Sequence, residues 1–153
     1  MDYKENLHKA KQELSTADYI ATITTAVIRD KNVLLNIFSH ADNAVLLALN
    51  AFLTYQKELK QLKMIPASEE LQRQIFFDDY ANLLNMTGEE KRILNELKDI
   101  VYAHKKNQIE IKRGDDYIIV LTNYKTVTVN RNSIIKYLSV ARGFINRLEG
   151  LLK

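Results

Sequence analysis

"ELKDIVYAHKKNQIEIKRGDDYIIVL", residues 96–121, changes its hydrophobic period part-way along. Up to His104 the apolar residues Leu97, Ile100 and Val101 recur at spacings of three and four, which marks one face of a helix. A basic break at Lys105 and Lys106 follows. Beyond it, β-branched residues stand on both sides of Gly114-Asp115-Asp116, and that pattern reads as a β-hairpin. "TVTV" at 126–129 is either a third short strand or an extended approach to the next helix. That last helix, capped by Asn132 or Ser133, carries a stripe from Ile134 through Leu138, Ala141 and Ile145 to Leu152.

The segments before residue 96 are all helical in pattern. Leu7, Ala10, Leu14, Ala17, Ile20, Ala21 and Ile28 form the stripe of a first helix over 4–28. Asp30 is the expected N-cap of a second, 31–62, whose centre "HADNAVLLALNAFL" is apolar around most of its circumference. Such a helix is expected to lie buried among several neighbours. A third covers 68–85, with Leu71, Ile75, Phe76, Tyr80, Leu83 and Leu84. Thr87 and Glu90 have the spacing of a capping box and open a fourth, 88–105. One proline and four glycines favour long helices. The expected fold is mainly α: one domain over 1–153, an up-and-down bundle of about five helices with a β-hairpin inserted before the last.

Composition narrows the chemistry. The absence of cysteine excludes disulfides, thiolate catalysis and cysteine-ligated zinc. No uninterrupted apolar run reaches the roughly 18 residues needed to span a bilayer. The charged, helix-patterned start "MDYKENLHKAKQEL" does not read as a signal peptide. A cytoplasmic location away from membranes is the expectation. Charge is uneven: residues 1–90 hold 9 basic and 13 acidic residues, whereas residues 91–153 hold 13 and 6. The basic half is suited to phosphates or an acidic partner, although an uneven solvated surface would look the same.

The histidines at 8, 40 and 104 fall on three different helices, without metal-ligand spacing. No Gly-rich phosphate loop, dinucleotide fingerprint or serine elbow occurs, so neither metal nor cofactor is expected. His40, beside Asp42 and Asn43, reads as a surface or half-buried residue on an otherwise apolar helix. Tyr19, Phe38, Phe52, Tyr55, Phe76, Phe77, Tyr80 and Phe144 read as core rather than as base-stacking platforms. His104 has two readings. Its ring either ends the helix and packs on Leu97 and Ile100, or works at a site. The helix dipole favours positive charge there, while Lys105 and Lys106 oppose it.

"RDKNVLLNIFSHADNAVLLALNAFLTYQKELK" followed by "AHKKNQIEIKRGDDYIIVLTNYKTVTVNRNSIIKYLSVARGFI" resembles the HEPN superfamily, and in particular archaeal HEPN-like proteins. The resemblance covers roughly residues 5–148. It implies an all-α domain, often dimeric, of the kind found in toxin–antitoxin systems and beside minimal nucleotidyltransferases. Active members are metal-independent ribonucleases carrying Arg, four to six residues, then His. Here His104 matches the histidine, and Lys98 stands where the arginine would be. Lysine keeps a point charge but lacks the planar fork that grips phosphate through two bonds. The resemblance therefore implies a non-catalytic binding or scaffolding module, a homodimer whose basic surface at Lys105, Lys106, Lys112 and Arg113 meets RNA or a protein. The alternatives are a ribonuclease using His104 with Lys98, and an antitoxin or nucleotidyltransferase accessory subunit paired with a neighbouring gene's product.

Overall fold

A computed structural model describes residues 2–23, 31–106 and 109–152. The elements run α1 (Tyr3–Ile23), α2 (Lys31–Glu58), α3 (Glu69–Ile75), a π-helical turn (Phe76–Tyr80), α4 (Gly88–Lys105), β1 (Glu110–Arg113), β2 (Asp116–Val120), β3 (Thr126–Val129) and α5 (Arg131–Leu151). This is the expected helical protein with strands ahead of the last helix. The expected cap at Asp30, and Ile28 of the first stripe, lie outside the described residues.

α2 is the hub, packed against α1, α3, α4 and α5. Ile37, Phe38, Ala41, Ala44, Val45, Ala48, Leu49 and Leu53 along it are all inaccessible to solvent. Residues Asn32–Glu58 are long and apolar enough by length and composition to cross a membrane, and 56% of their most apolar window is buried inside the protein. The apolar circumference thus has packing partners. α2 stops at Glu58, short of the expected residue 62, because the chain closes a Schellman motif there. Lys60 takes φ 61°, and the amides of Gln61 and Lys60 donate to the carbonyls of Gln56 and Lys57.

The segment expected as one helix over 68–85 keeps α geometry only to Ile75. A wider turn then brings the Ala81 amide onto the Phe76 carbonyl at 3.0 Å. This turn seats Phe76 edge-on against Phe52, Phe77 and Phe144, with ring centres 5.3–5.5 Å apart. Of the aromatics expected in the core, Tyr19 is the exception, standing exposed on α1.

The capping box at Thr87 and Glu90 forms as the spacing predicts. The cap of α5 falls elsewhere. Asn130, not Asn132 or Ser133, is the N-cap: its Oδ1 accepts from the Ser133 amide at 3.1 Å, and Ser133 Oγ accepts from the Asn130 amide at 3.2 Å. The helix starts early because β3 runs into it without a linker.

"TVTV" is the third strand of an antiparallel sheet ordered β1-β2-β3. The turn between β1 and β2 is two residues, Gly114 and Asp115, so Asp116 belongs to β2 rather than to the turn. Gly114 has φ +63° and is followed by an ordinary φ, the pattern of a type II′ hairpin. Tyr117, Ile119, Leu121 and Val129 are buried, with β2 packed on α4 and β3 on α5.

Candidate nucleic-acid interface

The last turn of α4 and the sheet together hold every residue singled out from the sequence except Lys98. His104 Nδ1 lies 3.3 Å from Glu110 Oε2, so α4 and β1 are tied across the basic break. Glu110 is almost wholly covered, while His104 keeps about a third of its side chain exposed. The ring does not cap the helix. That role falls to Lys106, whose amide donates to carbonyls of the last turn. His104 instead borders a cleft of about 390 Å³ with Asn32, Asn36 and Ser39 of α2.

Lys98 lies 3.6 Å from Asp99. On one helix, residues six apart stand about 9 Å apart along the axis and about 120° apart around it. The helix alone therefore does not bring Lys98 and His104 to one point.

The remaining cations divide into two groups. Lys105 turns toward a second cleft, about 270 Å³, bordered also by Glu13, His40, Asp42, Asn43 and Glu69. Here Asp42 pairs with Arg73 at 2.8 Å, and both residues are buried. Burial holds the Asp42 carboxyl above its ordinary range, against the opposite pull of Arg73 and, more weakly, Lys105. Its Oδ1 is buried without a hydrogen-bond partner. His40, expected at the surface or half-buried, is half-buried, and its Nδ1 meets Glu13 Oε2 at 2.6 Å. Among the described residues no group of three or more His, Asp or Glu stands where it could hold a metal ion.

Lys106, Lys112 and Arg113 face solvent. Lys106 lies over the ring of Tyr102 at 5.6 Å and Lys112 over Tyr117 at 5.9 Å. The rings hold each ammonium in place without neutralising it. Two exposed aromatic residues were not marked by the sequence. Tyr102 is 48% exposed on α4, and Tyr124 is 89% exposed in the turn between β2 and β3. Tyr124 also has φ 65°. A bulky residue in the left-handed region costs about 1–2 kcal/mol, and an exposed side chain recovers none of it by packing. "LTNYKT" gave one sign of this, a turn-forming Asn123 beside an aromatic residue with no apolar partner in register.

No protein-family model, curated protein or solved structure matches the chain. The likeness to the HEPN superfamily is one of sequence alone.

Proposed function

We propose that this protein is a non-catalytic, HEPN-like binding module that acts as a homodimer and holds single-stranded RNA through Lys106, Lys112 and Arg113 with the exposed rings of Tyr102 and Tyr124. One observation carries the reading: the solvent-facing Lys106 lies over the half-exposed ring of Tyr102, with further exposed cations at Lys112 and Arg113 and an exposed, strained Tyr124 in the turn between β2 and β3. Lysines supply attraction to phosphates, and exposed rings supply faces on which unpaired bases stack. An A-form duplex hides its base faces, so single strands are the better fit. The separate pairings of Lys98 and His104 support the non-catalytic part.

Tyr124 gives the test a sharp form. Tyr124→Gly relieves the left-handed strain and removes no packing, so urea denaturation should show a gain of about 1 kcal/mol. The same variant should bind a fluorescent single-stranded RNA roughly tenfold more weakly, the worth of one stacked base. Unchanged affinity would remove Tyr124 from the surface.

A ribonuclease is the second reading, favoured by the contact of His104 with the covered Glu110 at the mouth of a cleft. A carboxylate on one ring nitrogen orients the other for acid–base work. On the leading proposal, RNA incubated with the protein in EDTA stays intact. Cleavage that disappears in His104→Ala would establish the second reading instead.

A further inference from the structure

We infer that the cleft beside His104 is a reading pocket for adenine, into which one unstacked base of a bound RNA strand turns. The RNA reading above supplies the source of that base, while the chemistry of the pocket stands on its own geometry.

α2 builds most of the wall. Asn32, Asn36 and Ser39 follow one another at spacings of four and three, so one face of the helix presents them to the cleft. Val33 and Leu35 add apolar surface. Asn36 is exposed and Ser39 half-buried, and among the described residues neither side chain makes a hydrogen bond. The last turn of α4 contributes His104, whose Nδ1 lies 3.3 Å from Glu110 Oε2. A carboxylate accepts, so in the neutral ring Nδ1 carries the proton and Nε2 is left as an acceptor.

At about 390 Å³ the cleft has the size of a small-ligand site. Among the described residues its wall holds no carboxylate, lysine or arginine. The second cleft differs, with Glu13, Asp42, Glu69 and Lys105 around it. A phosphate or an ammonium ion finds no full counter-charge in the neutral wall, whereas a flat, uncharged, hydrogen-bonding group fits it. A nucleobase is such a group.

The polar groups then select among the bases. Adenine offers an amine donor beside a ring-nitrogen acceptor, the pair that an asparagine amide engages through two bonds. The second N–H of that amine is a donor suited to His104 Nε2. Uracil and guanine carry a carbonyl oxygen in place of the amine, so they would meet Nε2 acceptor to acceptor. Cytosine keeps the amine but has a smaller ring to lay on Val33 and Leu35.

The sheet places a cation next to the pocket. Alternate residues of a strand share a face, so Lys112 projects from the same side of β1 as Glu110, about 7 Å farther along. Glu110 meets His104, and Lys112 is exposed. The phosphate attached to a base in the cleft is therefore near the flexible stem of Lys112.

Oligo(A) and oligo(U) of equal length, compared by fluorescence anisotropy, test the pocket. Oligo(A) should bind about tenfold more tightly, the worth of one two-bond contact to a base. Asn36→Ala should erase that ratio by weakening oligo(A) alone. Asn36 is exposed and alanine is the better helix former, so the variant should fold as the wild type does. AMP should shift the side-chain amide signals of Asn36 in the NMR spectrum, and UMP should not. Equal affinity for both oligomers would overturn the pocket and leave the RNA surface standing. A preference for oligo(A) that survives Asn36→Ala would overturn the pocket as well. A response of Asn36 to AMP without binding of either oligomer would uphold the pocket and overturn the RNA reading.

Discussion

Phe76→Ala should lower the unfolding free energy by about 4 kcal/mol, read from the urea midpoint at constant slope. The ring is inaccessible to solvent, and it touches Phe52 of α2, Phe77 beside it and Phe144 of α5. Truncation removes the buried area of a whole ring and three edge-on contacts together. It also opens a void at the π-helical turn, and the backbone there cannot close around it without giving up the Ala81–Phe76 hydrogen bond. Phe77→Ala, at a half-buried neighbour, should cost clearly less. Equal costs would mean that the wide turn does not serve to seat Phe76.

Arg73→Ala should cost about 3 kcal/mol at neutral pH, since it leaves Asp42 charged and buried without its cation. The loss should shrink in acid, where Asp42 takes up a proton and needs no cation. The sign follows from the raised carboxyl. The folded state holds the Asp42 proton more tightly than the unfolded chain does. That contribution is full below the ordinary carboxylate value of 3.8 and is lost as pH rises through the raised folded value. Asp42→Asn stays neutral throughout, so the stability of the wild type relative to this variant should fall as pH rises. Urea midpoints of both proteins across that range give the measurement, and a constant difference would contradict the raised carboxyl.

The helical part of this fold was legible because α2, α4 and α5 obey a helical period, and α4 also a capping box, that act within a few residues. The hairpin was legible for the same reason, with Gly114 at its tip. Three features were not. The π-helical turn at Phe76 depends on Phe52 and Phe144, which lie far away in sequence. The cap at Asn130 was hidden by β3 running directly into α5. Asp42 gave no sign of its partner, because Arg73 lies 31 residues on and on another helix. At the candidate interface the sequence marked the cations but not Tyr102 beneath Lys106, since helical spacing alone does not say which aromatic residues a bundle leaves outside. Tyr124 is the clearest case: its meaning lies in a φ angle.

The most direct test of the central claim is the salt dependence of single-stranded RNA binding, measured by fluorescence anisotropy from low to physiological salt. Each phosphate neutralised on a single strand contributes about −0.7 to the slope of log K against log salt. With Lys106, Lys112 and Arg113 engaged, the three together should supply a slope of about −2. Replacing all three by alanine should take most of that slope away and leave the circular dichroism spectrum intact. A wild type that binds no RNA at low salt, or a variant that binds with the wild-type slope, would contradict the account.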